Sequence, residues 1–256
     1  LVVGGGYIGL EAAAVAAKMG LKVILVEMAD RILKRVAASE TSNYFRDLHK
    51  ARKVDLREGV GLKSLIGNNK VSGALLTDGT ELNVDFVICG IGINPNTDLA
   101  EKSGLKVDNG IETNIFGETS DSNIWAAGDC ANLLFKGKRI RLESVQNAID
   151  QAECVAENIM GGAKEYKPNP WFWSDQYSTK LQIAGLNIGY DKIITRAENE
   201  ETVSFWYFKN EELLAVDAMN DPRSYMVGKR LIEMGISPDL KAVGDKNFNL
   251  KLLLKP

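Results

Sequence analysis

The sequence predicts an α/β fold, and three observations carry that prediction. An apolar run, Leu1 to Val3, opens directly onto glycines and an alanine-rich helical stretch. Apolar runs of strand length then alternate with helical stretches as far as about Met160. From Trp171 onward the pattern becomes a meander of strands followed by one helix. At ~150 residues per domain, the 256 residues suit roughly two domains.

Composition narrows the function classes. Lys plus Arg is 31 against 34 Asp plus Glu, spread evenly, so the basic excess or stripe of a phosphate-gripping nucleic-acid binder is missing. No apolar run approaches the ~20 residues of a membrane-spanning helix. Cys89, Cys130 and Cys154 stand 41 and 24 residues apart, which supplies neither a Cys-x-x-Cys pair nor a zinc set. They read as small buried hydrophobes, and the reducing cytoplasm is the expected compartment. His49 is the one histidine, with no Cys or His beside it for a metal site. The chain opens inside a strand without an initiator Met, and is expected to be part of a longer protein.

The opening carries the sharpest signal. Gly4-Gly5-Gly6-Tyr7-Ile8-Gly9 is G-x-G-x-x-G between a strand and the helix Leu10 to Met19, the context a dinucleotide fingerprint requires. Gly4 permits the tight turn, Gly6 lets backbone approach a pyrophosphate, and Gly9 with Ala13 lets helix and strand pack. The helix N-terminus then faces the anion. Gly20 closes the helix, and Leu21 to Val26 reads as a buried parallel strand ending in Glu27. Glu27 follows Gly6 by 21 residues, near the ~20-residue offset of a ribose-binding acid. These features in register predict a Rossmann-type unit. A carboxylate there accepts from a ribose 2′-hydroxyl and repels a 2′-phosphate, which favours NAD over NADP. Arg31, Lys34 and Arg35 argue the other way, unless they decorate the solvent face of the next helix.

Ser39 to Arg52 has helical character and Val54 to Arg57 that of a strand. Lys70 to Leu76 and Glu81 to Leu82 flank Thr77-Asp78-Gly79-Thr80, a hairpin turn. Asp85 to Cys89 reads as another buried strand, closed by Gly90-Ile91-Gly92, where missing side chains would let a flat ring approach or simply make a turn. Ile124 to Ala127 reads as a strand ending at Gly128-Asp129, which places a carboxylate where open α/β sheets bind ligands. The competing reading of Asp129 is the N-cap of a following helix. Glu11 reads as a first-turn acid complementing the helix dipole, and so does Glu143, before a helix running to about Met160. Trp171 and Trp173 flank Phe172, and alternation gives that strand an aromatic face to bury. Lys180 to Ala184, Ile188 to Thr195, Val203 to Lys209 and Glu212 to Ala218 are further strands, with Asn210-Glu211 as turn. Asp221-Pro222-Arg223 leads into a helix, Ser224 to Met234, stopped by Gly235.

GGGYIGLE, VICGIGINPNT and TSDSNIWAAGDCA together resemble the two-dinucleotide-domain flavoprotein reductases of the glutathione-reductase-like superfamily. RLESVQNAIDQAE, PWFWSDQY and LQIAGL narrow the resemblance to the NADH-dependent ferredoxin reductases of monooxygenase and dioxygenase systems. The resemblance implies an NAD-binding Rossmann domain (1–88), the C-terminal part of an FAD-binding domain (89–169) and a small α+β reductase domain (170–256). It implies FAD and NAD(H) as cofactors, with a [2Fe–2S] ferredoxin or a rubredoxin as electron acceptor. Catalysis passes from cofactor to cofactor, without an acid–base residue or a metal. By the same resemblance Asp129 contacts the ribityl chain, Glu11 orients the nicotinamide carboxamide, and Gly90, Ile91 and Gly92 lie near the nicotinamide. Glu143, Ser144 and Val145 approach the flavin pyrimidine, with Val145 where some dioxygenase-type members carry Trp, and Trp173, Asp175 and Gln176 line the flavin edge. The first FAD-binding unit of such reductases has no counterpart here, so the expected behaviour of the chain alone is NADH binding without flavin. An apoptosis-inducing-factor-like interaction protein and a disulfide reductase or NADH oxidase are the alternatives.

Overall fold

A computed structural model describes residues 1–254. The chain forms two units. One comprises residues 1–92, 173–183 and Asn187 onward; the other comprises residues 93–172 and 184–186.

In the first unit, β1 (Val2–Val3) leads through the glycines into α1 (Tyr7–Lys18), then β2 (Ile24–Glu27), α2 (Ser39–Ala51) and β3 (Asp55–Glu58). Next come β4 (Leu62–Gly67), β5 (Val71–Leu76), β6 (Glu81–Asn83) and β7 (Ile88–Cys89). A parallel sheet runs in the order β3-β2-β1-β7, with Val2 opposite both Leu25 and Ile88. Alanines suit α1 by propensity, and their small size lets Ala13 and Ala16 bury against the sheet. Gly20, at φ 82°, ends the helix by donating its N–H to Ala17 O. The antiparallel excursion β4-β5-β6 turns at Asp78-Gly79, where Asp78 Oδ1 accepts from Thr80 N at 2.9 Å.

The second unit holds α3 (Asp98–Lys102), β8 (Ile111–Glu112), β9 (Ala131–Phe135), β10 (Lys138–Ile140) and α4 (Val145–Ile159). Its sheet order is β10-β9-β8. Ser144 caps α4, its side chain accepting from Asn147 N.

The remaining elements are β11 (Trp171–Gln176), β12 (Thr179–Gly185), β13 (Lys192–Ala197), β14 (Val203–Lys209), β15 (Glu212–Met219), α5 (Pro222–Met234) and α6 (Leu240–Gly244). The five strands order as β11-β12-β15-β14-β13. Asn210 and Glu211 both take positive φ, 46° and 68°, as a type I′ hairpin turn demands. Asp221 caps α5 with Pro222 in the first turn, and Gly235 closes it left-handed. Arg196, buried in β13, donates to the carbonyls of Val243, Asp245, Lys246 and Phe248 and so holds the segment that follows α6.

One apolar core in the first unit joins both ends of the chain. Val2, Leu10, Leu25, Ile32 and Phe45 pack in the same cluster as Leu181, Phe205, Tyr207 and Met219.

Several expectations need correction. β4 is a strand without a sequence signature, because nearly all its residues are exposed and two irregularities break its register. The strand expected over Asp85 to Cys89 shrinks to Ile88–Cys89, with Asp85, Phe86 and Cys89 exposed. Ile124 to Ala127 is no strand; Trp125 makes only an isolated bridge to Glu118. Gly128–Cys130 is a 3-10 turn leading into β9, so Asp129 caps no helix. Arg31 to Val36 is a turn segment, not a helix with a basic solvent face. Of the cysteines, only Cys154 is buried, while Cys89 is exposed and Cys130 half-buried. The strand β11 buries Ser174 and Gln176 and exposes Trp173 and Asp175, the reverse of an aromatic core face. Finally, α1 starts three residues early, which moves Glu11 out of the first turn; Glu143 precedes α4 and pairs with Arg141 at 2.7 Å.

Candidate nucleotide-binding site

β1, β2 and β7 end side by side, and the residues leaving them build the first part of the site. Gly4 turns at φ 104° and donates its N–H to Val26 O at 2.8 Å. A Cβ on Gly4 would stand 2.3 Å from Gly90 O, and one on Gly9 would stand 1.9 Å from Gly4 O. A Cβ on Gly90 would meet Gly9 N at 3.2 Å. These three glycines therefore pack backbone on backbone, which joins β7 to the fingerprint turn.

Gly6 differs. It caps α1 at φ −77°, and a Cβ there would meet nothing within 4 Å. Its bareness serves no packing purpose inside the protein; it leaves room for a group outside. Leu10 is the first residue to close an α-helical bond, to Gly6 O, so the amides of the preceding turn face outward along the helix axis. Open space beside a helix N-terminus is what a pyrophosphate requires. Tyr7 packs against the apolar core and Ile8 is exposed.

Glu27 ends β2. Its Oε2 accepts from Gly5 N at 2.6 Å and its Oε1 from Ala29 N at 2.8 Å, so one carboxylate ties the fingerprint turn to the turn after β2. Gly5 was a bare spacer in the motif; its amide proves to be the link. Of the three nearby cations two are committed, whereas Arg35 is exposed. Arg31 donates to Ser42 Oγ at 2.5 Å and Ala37 O at 2.9 Å, and Lys34 pairs with Asp30 at 3.0 Å. Ile91 and Gly92 follow Gly90 at the end of β7, both exposed, with Gly92 at φ 110°. Glu11, in the second turn of α1, accepts from Ser174 Oγ at 2.6 Å. Trp173, on β11 in the same unit, is 38% exposed.

The second unit holds the other expected residues. Gly128, at φ 79°, donates its N–H to Gln151 Oε1 of α4 at 2.9 Å. Asp129 is exposed, and its carboxylate makes no hydrogen bond or ion pair among the described residues; its carbonyl accepts from Arg141 Nη1 at 2.9 Å. Arg141 Nε is buried without a partner. Ser144 caps α4 and Val145 opens it, exposed. An unengaged carboxylate, an unsatisfied guanidinium N–H and a helix N-terminus suit a ligand that carries both hydroxyls and negative charge, as FAD does.

Gln176, expected at the flavin edge, is instead fully buried and comes together with Ser174 and His49. All three are buried polar groups, and Gln176 Oε1 lies 2.8 Å from His49 Nε2. Only the polar alternation within WFWSDQ hinted at them. Among the described residues no cluster of His, Cys, Asp or Glu forms a metal site, and no helix is long and apolar enough to cross a membrane.

Two family models match the chain, and the first of them runs across both units. Residues 1–152 match the pyridine nucleotide-disulphide oxidoreductase family and residues 171–254 the C-terminal domain of reductases. Rhodocoxin reductase of Rhodococcus erythropolis is 41% identical over 260 aligned residues, covering 99% of this chain and 60% of that protein. The ferredoxin reductase for the CYP199A2 system of Rhodopseudomonas palustris superposes with a TM-score of 0.95 at 38% identity, covering 98% of this chain and 63% of that one. A covalent putidaredoxin reductase–putidaredoxin complex gives 0.95 at 40%, with 99% and 62% covered. The chain thus spans about three-fifths of the length of these relatives. With more than half of its residues matched by one family model, and with glycines packed as the fingerprint requires, the chain belongs to the pyridine nucleotide-disulphide oxidoreductase family.

Proposed function

We propose that this chain is the NAD(H)-binding and electron-delivering part of an FAD-dependent NADH:ferredoxin or rubredoxin oxidoreductase that serves an oxygenase in the cytoplasm. The observation that carries the reading is the cradle itself: Gly4, Gly9 and Gly90 in backbone contact, with an open face at Gly6 and Glu27 at the end of β2. One solved relative is named a ferredoxin reductase and another, a putidaredoxin reductase, is covalently linked to putidaredoxin, which supports an iron–sulfur acceptor.

In this reading the residues bind and orient while the cofactors react. FAD, when bound, would supply the coupling of two-electron hydride chemistry to one-electron transfer. Gly6 and the first-turn amides of α1 hold the pyrophosphate, and Glu27 accepts from the adenosine ribose. Glu11 and the stretch Gly90 to Gly92 border the nicotinamide. Asp129 accepts from ribityl hydroxyls, Glu143, Ser144 and Val145 present a helix N-terminus to the pyrimidine side, and Trp173 lines the ring edge. A helix N-terminus favours the negative charge that the reduced ring carries. The division into residues 1–88, 89–169 and 170–256 is part of the same proposal.

Two measurements test it. The full-length protein, loaded with flavin, should reduce ferricyanide with NADH, and should reduce a [2Fe–2S] ferredoxin or a rubredoxin; failure with every acceptor overturns the assignment. In the full-length protein, Asp129→Ala should lower the flavin-to-protein ratio after gel filtration with the melting temperature little changed, whereas an unchanged ratio removes Asp129 from the flavin site.

A further inference from the structure

Polar side chains on the buried face of a strand are costly when left without partners, so the partners of Ser174 and Gln176 define what those residues are for. Ser174 Oγ lies 2.6 Å from Glu11 Oε1. Gln176 Nε2 lies 3.1 Å from Ser174 Oγ, Gln176 Oε1 lies 2.8 Å from His49 Nε2, and His49 Nδ1 lies 3.2 Å from Tyr177 OH. The chain crosses from α1 through β11 to α2, and Tyr177, at its outer end, packs edge-on to His49 beneath the Arg52 guanidinium.

One assignment of protons satisfies every link. An ionised carboxylate only accepts, so the Ser174 hydroxyl gives its single proton to Glu11. Its oxygen then accepts from the Gln176 amide NH2, which directs the amide oxygen at His49. His49 Nε2 must therefore carry a hydrogen, and in the neutral ring Nδ1 accepts from Tyr177. Burial lowers the His49 pKa and favours that neutral ring. All four donors point toward Glu11, and such aligned hydrogen bonds strengthen one another. Ser174 is the side-chain donor to Glu11 among the described residues.

We propose that Ser174 is a positioning residue for the nicotinamide end of the nucleotide. It acts through Glu11, and the chain Gln176–His49–Tyr177 keeps its proton directed at Glu11. The inference rests on the reading of Glu11 as the carboxylate beside the carboxamide. With Oε1 engaged by Ser174, Oε2 is left to accept from the carboxamide N–H. Orientation at the reacting end of the cofactor is then set by a strand that follows the fingerprint by more than 160 residues.

The test compares NADH with ADP-ribose, which shares every group of the nucleotide except the nicotinamide. Calorimetric affinities are measured for both ligands on the unmodified protein, Glu11→Gln, Ser174→Ala and Gln176→Glu. Ser174→Ala should weaken NADH about three- to tenfold, the equivalent of one hydrogen bond, and leave ADP-ribose unchanged. Gln176→Glu should do the same while the Ser174 hydroxyl remains, because a carboxylate at 176 accepts the proton that Glu11 needs. Equal weakening of both ligands, or no change in either, overturns the positioning role. If Glu11→Gln leaves the NADH-to-ADP-ribose ratio unaltered, the placement of Glu11 fails and takes this inference with it, while the nucleotide site stands. If the unmodified protein binds neither ligand, the nucleotide site itself fails.

Discussion

At the residue scale the decisive side chain is Glu27. Its two oxygens already accept from Gly5 N and Ala29 N, so the carboxylate is oriented before any ribose arrives. A carboxylate held at that place discriminates against a 2′-phosphate by like-charge repulsion. NADH should bind more tightly than NADPH, and Glu27→Arg should narrow that gap. Because two amides lose their acceptor, the same substitution should also cost about 1–2 kcal/mol of stability. Calorimetric titration with both nucleotides checks the first effect and thermal unfolding the second; equal affinities in the unmodified protein would remove Glu27 from specificity. The position of Glu27 was legible from its spacing to Gly6. Its grip on Gly5 was not, because spacing says nothing about which backbone amide a carboxylate meets. Arg31 makes the same point in reverse: its neighbours in sequence suggest a solvent-facing charge, whereas its guanidinium is occupied by Ala37 O and Ser42 Oγ.

At the element scale, the strand–turn–helix unit separates two kinds of glycine. Gly9→Ala puts a Cβ 1.9 Å from the Gly4 carbonyl oxygen. The turn must then shift, at a cost of about 1–3 kcal/mol. Gly6→Ala meets nothing and keeps an ordinary φ, so stability should change by no more than ~0.5 kcal/mol. Both variants should bind NADH poorly, Gly9→Ala because the cradle is displaced and Gly6→Ala because a methyl stands where the pyrophosphate approaches. Melting temperature and NADH affinity measured together distinguish them; a Gly6→Ala protein that binds NADH normally would show that this face is not the pyrophosphate site. Some element ends were legible: Asp221-Pro222 opens α5 and Gly235 closes it, and Asn210-Glu211 turns its hairpin; the start of α1, three residues earlier than expected, was not. Short and exposed strands were not legible. β4 has no buried face to impose alternation, and β9 follows a glycine-containing turn that reads equally well as a helix start.

At the scale of the molecule, the Rossmann-type strands and the C-terminal sheet share one apolar core in the first unit, and a charge lies inside it. Asp217 of β15 is fully buried and accepts from Thr41 Oγ1 at 2.7 Å and from Tyr207 OH. Tyr7 also faces it electrostatically. These neighbours are two phenols and a hydroxyl, with no cation among them, and burial pushes the carboxyl up to about 6. A carboxyl whose folded pKa lies above its unfolded value binds more protons when folded, so its contribution to stability grows as pH falls from above 6 toward 4. Between pH 8 and pH 5 the unmodified protein should gain about 1 kcal/mol from this source. Asp217→Asn should not gain it. The His49 imidazole acts in the opposite direction, since its lowered pKa costs stability as pH falls below its unfolded value, but it is common to both proteins and cancels in the difference. Urea unfolding of the two proteins at pH 5 and pH 8 measures that difference, and parallel behaviour would show that Asp217 does not titrate in this range.

The sequence by itself determined what depends on neighbours along the chain. The fingerprint lies between a strand and a helix, an acid stands at the end of the second strand, and caps and left-handed turns sit where local backbone geometry requires them. The motifs around Asp129 and Trp173 likewise carried the resemblance to flavoprotein reductases. Only the tertiary structure decided which glycines touch and which stay open, that the aromatic strand buries its serine and glutamine, and that Ser174 reaches Glu11. The reason is physical: a local motif restricts the dihedral angles of a few residues, whereas a hydrogen bond between groups 163 positions apart exists only once a shared core has brought their elements into contact.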